Sequence, residues 1–140
     1  EYDRWNGELQ GILHDNETLT KEQVAEKLAA SIANREQLLK FLAMNNYDME
    51  ANSRPELLKS FKVAYGESMK NVCRILTKFC PEKSVKEIQD FIYVFFPFMF
   101  GIYPYTAVTD KQREAMKQAN VDYVYQSIFE ITNNCLLKLL

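Results

Sequence analysis

Apolar residues recur along this chain at steps of three and four, the spacing of one face of an α-helix. In the opening stretch, residues 2–13, Tyr2, Trp5, Leu9, Ile12 and Leu13 share such a face, and Asp15 and Asn16 end it. Thr20 followed by Gln23 is a capping-box signature, in which each side chain satisfies the other residue's backbone N–H. It predicts a helix with Val24, Leu28 and Ile32 in line. A further helix starts near Asn34, carries Leu38, Leu39, Phe41, Leu42 and Met44, and runs to about Met49.

Ser53 and Glu56 form a second capping box, with Pro55 in the first turn, where its missing N–H has no partner to lose. The longest regular pattern follows: Leu58, Phe61, Tyr65, Met69, Val72, Leu76 and Phe79, ended by Pro81. Ser84 and Glu87 form a third box. The helix they open, over residues 84–102, contains Val85, Ile88, Phe91, Ile92, Phe95, Phe96, Phe98, Met99 and Ile102. After Ile88 it has no polar face, so it needs cover on every side. Pro97 removes a backbone hydrogen bond and should bend it. Residues 110–118 predict a polar, exposed helix. The last helix, over residues 121–139, shows two seams: Val124, Ile128, Ile131 and Cys135 on one, and Tyr125, Phe129, Thr132 and Leu136 on the other. No strand pattern, repeat or low-complexity linker interrupts the series. The expectation is one all-α domain spanning residues 1–140, an antiparallel bundle of about six helices.

Composition narrows the class. Four glycines and four prolines are few breakers for 140 residues, in keeping with long helices. With 17 basic against 19 acidic residues there is no electrostatic footprint for nucleic acid. Cys73, Cys80 and Cys135 are too few and too odd a set for a disulfide framework, which points to a reducing cytosol. In an intact helix Cys73 and Cys80 would stand about 10 Å apart, too far to be bridged. The uncharged stretch over residues 91–109 approaches the ~20 residues of a membrane span. Pro97, Gly101 and Pro104 interrupt it, so it reads as a buried helix and no membrane partner is expected. The chain opens on Glu1-Tyr2-Asp3-Arg4-Trp5, without Met or N-cap, as the inside of a helix does. The expectation is that something precedes it.

The chemistry of catalysis is missing. His14 is the one histidine, so a multi-histidine metal site is excluded, and the Glu-x-x-His pattern of di-iron bundles does not occur. Nor does Cys-x-x-Cys, a phosphate-binding glycine loop or a Gly-x-Ser-x-Gly elbow. We expect no catalytic residues, no metal, no cofactor and no enzyme activity. A Cys–His pair using His14 is the alternative an enzyme would need.

What is present suits binding. Tyr65 and Met69 interrupt an aliphatic stripe, and the aromatic helix adds Phe95, Phe98, Met99 and Tyr103. Large adaptable side chains with few polar tips line small-molecule pockets, though the same residues also make ordinary core. The expected pocket lies between the long helix and the aromatic helix, roofed by the first and third segments. Its residues are Trp5, Leu9, Phe61, Tyr65, Met69, Phe95, Phe98 and Met99, with Tyr65 as the polar contact. The double seams of the last two large helices predict a homodimer through Ile88, Ile92, Phe96, Val124, Ile128, Ile131 and Cys135. A helical protein–protein interaction module without a small ligand is the other class these patterns allow.

Three segments carry a resemblance. The stretch from Glu50 to Lys62 reads Glu-Ala-Asn-Ser-Arg-Pro-Glu-Leu-Leu-Lys-Ser-Phe-Lys, with an acidic residue and an Asn before the cap of a long helix. Gly101-Ile-Tyr-Pro104 closes the aromatic helix, and Asp122-Tyr123 is an acidic–aromatic pair in the final segment. In these and in its order of elements the chain resembles the C-terminal domain of TetR-family transcription regulators. The resemblance implies a cytoplasmic bacterial homodimer and a small-molecule effector of unknown identity, acting in a repressor. It implies contact with operator DNA only through an N-terminal helix-turn-helix head that these residues lack. The opening helix would link that head to the body.

Overall fold

The computed structural model describes the backbone of residues 1–52 and 54–140 and the side chains of residues 1–44 and 54–140. Among the described residues there are eight helices and no strand: α1 (Tyr2–His14), α2 (Lys21–Ala33), α3 (Glu36–Asn52), α4 (Pro55–Phe79), α5 (Val85–Gly101), α6 (Tyr103–Thr106), α7 (Asp110–Gln118) and α8 (Ile128–Leu139). The all-α class is as expected, and eight helices stand against about six; the single short turn α6 is the one that the pattern did not mark.

Helix starts are set by side chains that satisfy orphaned N–H groups. At α2 the Gln23 N–H donates to Thr20 Oγ1 at 3.1 Å and the Thr20 N–H to Gln23 Oε1 at 2.9 Å. At α5 the same pair of bonds joins Ser84 and Glu87, both at 3.1 Å. Those bonds hold the exposed Glu87 carboxyl below its usual range, the backbone N–H of Ser84 being the main cause. A further box, Thr109 with Gln112, opens α7 and was missed by the sequence pattern. At α4 the N-cap position is held by Arg54, without a side-chain bond, and Pro55 is the first helical residue. The box expected from Ser53 lies outside the described residues.

The last helix corrects the expectation most. Residues 121–127 are not helical, and α8 begins only at Ile128. The cause is local. Asn120 takes a left-handed φ of 56°, its N–H bonds to the Lys117 carbonyl, and the Val121 N–H bonds to the Met116 carbonyl. This is the Schellman arrangement that ends a helix, with Asn in the position otherwise favoured by Gly. A new N-cap then restarts the helix, the Glu130 N–H donating to Ser127 Oγ at 3.1 Å. Val124 and Tyr125 therefore leave the helical seams, and the Asp122-Tyr123 pair lies in the extended link.

Packing follows the buried faces. α1 lies along α4, α2 sits between α1 and α8, and α5 packs on α3 and α4 with α6 at its end. Trp5 is fully buried where α1, α2 and α5 meet, its ring 5.9 Å from that of Phe96. A buried indole N–H needs a partner. It donates to Ser31 Oγ at 2.9 Å, and the Ser31 hydroxyl donates onward to the Leu28 carbonyl at 2.7 Å. At the next residue, Asn6 fixes α1 to α4: its amide donates to the Ala64 carbonyl at 3.3 Å and accepts from Asn71 at 3.0 Å. Arg35 pairs with Glu8 across α1 and the start of α3. Lys78 places its ammonium 2.6 Å from the carbonyls of Leu13 and Asn16, where the end of α1 favours positive charge.

α5 runs through Pro97 to Gly101. Pro97 stands on its exposed side, where water can serve the carbonyl that its missing N–H leaves free. Among the described residues no helix is long and apolar enough to cross a membrane.

Removing the Ser31 hydroxyl strands a buried N–H. Ser31→Ala is expected to cost about 1–3 kcal/mol in urea denaturation. In a double-mutant cycle with Trp5→Phe, a coupling above about 0.5 kcal/mol is expected. Additive losses would show that this bond does not tie α1 to α2.

Candidate functional site

The eight residues expected to form a pocket fall into two groups. Trp5, Leu9, Phe95 and Met99 are entirely buried, and Phe61, Tyr65, Met69 and Phe98 are half-buried against them. The rings form a continuous chain. Phe61 stacks on Tyr65 at 6.4 Å, Tyr65 meets Phe96 edge-on at 5.5 Å, Phe96 meets Phe95 at 5.8 Å, and Phe95 stacks on Phe98 at 6.5 Å. Ring edges meeting ring faces is the favourable arrangement for such a set. Tyr65 is its hub, also 6.1 Å from Tyr2 and 6.2 Å from Phe100.

Open space lies at one end of this chain, where α1, α3 and α4 converge. A cavity of about 540 Å³ there is lined by Tyr2, Leu38, Phe41, Phe61 and Ala64, with Glu1, Asp3, Gln37 and Ser60 also on its walls. Phe61 is thus the expected residue that the cavity shares, with Tyr65 packed directly behind it. The first and third segments, expected as a roof over a pocket between the long helix and the aromatic helix, here form walls, and no described residue of α5 lines the cavity. Tyr2, Leu38 and Phe41 were visible as apolar positions of their helices, whereas their convergence on Phe61 depends on how α1 and α3 flank α4. Across Asp3, Ser60 and Ala64 the cavity borders a larger groove of about 800 Å³ between α1 and α4. That groove is an open surface furrow, walled by Gln10, Glu56, Lys59, Val63 and Glu67 among others. A third space, about 430 Å³, lies between the end of α6, α7 and the extended link, with Tyr105, Met116, Tyr123 and Tyr125 on its walls.

Tyr2 is the unusual group of the α1–α3–α4 cavity. It is 6% exposed, and its hydroxyl is shut off from solvent without a hydrogen-bond partner. Burial pushes its pKa well above the ordinary 10.0, and the neighbouring Tyr65 adds to the shift. Tyr65 moves the same way, through burial first and then through Tyr93. Both phenols therefore stay protonated at neutral pH and are donors.

A family model described as "Tetracyclin repressor-like, C-terminal domain" matches residues 1–127. The chain belongs to that family. No curated protein and no solved structure matches it. The match to the TetR-like domain ends one residue short of α8 and takes in every wall of the cavity. Members' C-terminal domains being all-α, the eight-helix architecture and the family agree.

The residues expected at a dimer interface are placed unevenly in this TetR-like domain. Ile88, Ile92 and Phe96 are already buried inside the chain, at 6%, 7% and 1% exposure. Ile128, Ile131 and Cys135 are half-buried on α8, and Val124 is exposed on the extended link. The face of α5 left on the surface carries Val85, Tyr93 and Val94 instead. α8 lies against α2 through Thr132 and Leu136. The three cysteines are free, and burial raises the thiol pKa of Cys80 and Cys135. Among the described residues no group of three His, Cys, Asp or Glu is placed to hold a metal ion.

The raised pKa of Tyr2 has a consequence for stability. Its protonated form is favoured by folding, so its contribution is complete below pH 10 and is lost as pH rises further. Unfolding free energy of the unaltered domain is expected to fall above pH 10 more steeply than that of Tyr2→Phe, by up to about 1.4 kcal/mol per pH unit. Denaturant titrations at pH 7 to 11 measure the difference. Parallel curves would mean that Tyr2 ionises as freely in the fold as outside it.

Proposed function

We propose that this chain is the effector-sensing and dimerisation body of a TetR-like bacterial repressor. In this reading a small, mainly apolar molecule binds at the cavity between α1, α3 and α4. It changes the affinity for operator DNA of a helix-turn-helix head that lies outside these residues. The observation that carries the reading is the cavity itself: about 540 Å³, aromatic-walled and placed against α1. That volume lies within the range of small-molecule sites, which are mostly carbon with a few placed polar groups. Because Tyr2 stands on α1, a bound molecule touches directly the helix that would lead to the head. An effector shifts the regulator only through its different affinity for the two conformations, so contact with a helix that differs between them is the economical place for it. Trp5, Leu9, Tyr65, Met69, Phe95, Phe98 and Met99 would then form the packed backing of the site, with Phe61 at its surface.

The homodimer belongs to the same proposal. The chain's surface carries Tyr93 and Val94 on α5 at 65% and 47% exposure, and Leu137 on α8 at 43%. With half-buried Ile128, Ile131 and Cys135 these are among the apolar side chains on α5 and α8 available to a second copy. Ile88, Ile92 and Phe96 would support that face from beneath. The reading places the regulator in the cytosol, with no catalytic role.

Two measurements check it. The apolar dye Nile red is expected to bind saturably, and Ser60→Trp, which puts bulk at the cavity wall from an exposed position, should weaken it at least about tenfold, or about 1.4 kcal/mol. Unchanged affinity in that variant would remove the cavity from the proposal. Light scattering at micromolar concentration should give twice the chain mass, as expected for a stable interface of about 1,600 Å². A monomer at every concentration rules the dimer out.

A further inference from the structure

We propose that the space between α6, α7 and the extended link is a second small-molecule site, separate from the α1–α3–α4 cavity. Its ligand is an amphiphilic anion: an apolar body with one acidic group at its edge.

The apolar half of the site comes from α7. Gln112, Ala115, Met116 and Ala119 recur at the spacing of one helix face. All four line the space of about 430 Å³. Among the described residues no other helix packs closely along α7, so this face is not spent on the core. Ala115 and Ala119 stay exposed and Met116 is half-buried. Opposite them stand the rings of Tyr105, Tyr123 and Tyr125. That wall is tied in place: the Tyr123 hydroxyl donates to the Tyr105 carbonyl at 3.3 Å, and its ring meets Tyr125 at 4.9 Å. No charged residue lines this space. Rings and a thioether around a volume of this size suit the carbon body of a small ligand.

The charged half adjoins it. A second space, about 520 Å³, shares Met116, Tyr123 and Tyr125 with the first and adds Arg113, Lys117 and Asp122. Arg113 and Lys117 are one turn apart on the neighbouring stripe of α7. Among the described residues neither makes an ion pair. The Arg113 guanidinium lies 4.2 Å from the centre of the Tyr125 ring, at the boundary of the two spaces. A guanidinium stacked on a ring keeps its N–H groups free to donate at its edge. Asp122 is the one acid of this wall, so two positive charges stand against one negative. The carbonyls of Ala115, Met116 and Lys117 at the end of α7 already accept N–H bonds, which blunts the repulsion of an anion by that helix end. A body in the first space with its acidic group in the second meets both walls, whereas a cation would face Arg113 and Lys117. Ion pairs this open to water contribute little each, so the body supplies most of the affinity and the charge supplies the choice.

Two dyes that brighten in apolar sites test this: anilinonaphthalene sulfonate, and phenylnaphthylamine, the same skeleton without the sulfonate. Both are titrated into the full chain carrying Ser60→Trp, which closes the α1–α3–α4 cavity, so that binding there does not contribute. In that background both should bind saturably. Ala119→Trp, which adds bulk to the wall from an exposed position, should weaken both at least about fivefold while keeping the helical circular dichroism. Ala115→Trp, on the same exposed face, should do the same. Arg113→Gln with Lys117→Gln should weaken the sulfonate about three- to tenfold and leave the neutral amine unchanged. Failure of both dyes to bind in the Ser60→Trp background overturns the second site and leaves the reading of the first cavity standing. Unchanged binding in both tryptophan variants of α7 also overturns the site. A sulfonate that binds the double glutamine variant as tightly as before overturns the selection for an anion.

Discussion

The position of α1 rests on one requirement: the Trp5 indole is entirely inside the protein and its N–H has to be paired there. Ser31 meets it, and Ser31 is in turn oriented by the Leu28 carbonyl of its own helix. This short relay sets both the rotation and the height of α1 against α2. The Asn6–Asn71 contact sets the same two quantities against α4. Apolar packing alone tolerates sliding, because one aliphatic contact resembles the next. A directional bond buried away from water does not, since any slip leaves a donor or acceptor with nothing to replace water.

That constraint has an asymmetry with functional weight. α1 is tied at Trp5 and Asn6, about one turn from its start, and near its end by Lys78, which reaches the carbonyls of Leu13 and Asn16. Ahead of Trp5, Tyr2 packs by its ring and its hydroxyl is unpaired. The cavity lies against this first turn. A molecule entering there meets the part of α1 whose position is set by van der Waals contact, and which therefore shifts at the least cost. In a TetR-like domain, where the proposed output runs through this helix, the cavity is well placed for a binding event to be felt beyond it.

The aromatic chain from Phe61 to Phe98 gives the remainder of the core its stiffness. Interlocked rings have few alternative packings, so the space at the end of the chain is not readily filled by rearrangement of its neighbours. The apolar surface of α5 obeys a different rule. Tyr93 and Val94 remain exposed on a helix with scarcely a polar residue after Asp90, and such a face gains from cover that this single chain does not supply.

Much of the architecture was legible in the sequence because it is decided locally. Thr20 with Gln23, and Ser84 with Glu87, each satisfy N–H groups within one turn, and the three–four spacing from Leu58 to Phe79 makes a single face whatever it packs on. Even the misjudged last helix was written locally. Asn120 ends α7, and Ser127 with Glu130 opens α8; apolar periodicity running across both concealed them. The site was another matter. The residues expected to line a pocket do touch one another, but the same ring sizes that suit a pocket wall also fill a core, and Trp5, Leu9, Phe95 and Met99 went to the core. Whether space stays empty depends on volume left over where three helices meet, and periodicity along one helix carries no information about that. The same holds for Tyr2: its sequence position marked it as buried, but only the arrangement of α1, α3 and α4 could leave its hydroxyl without a partner.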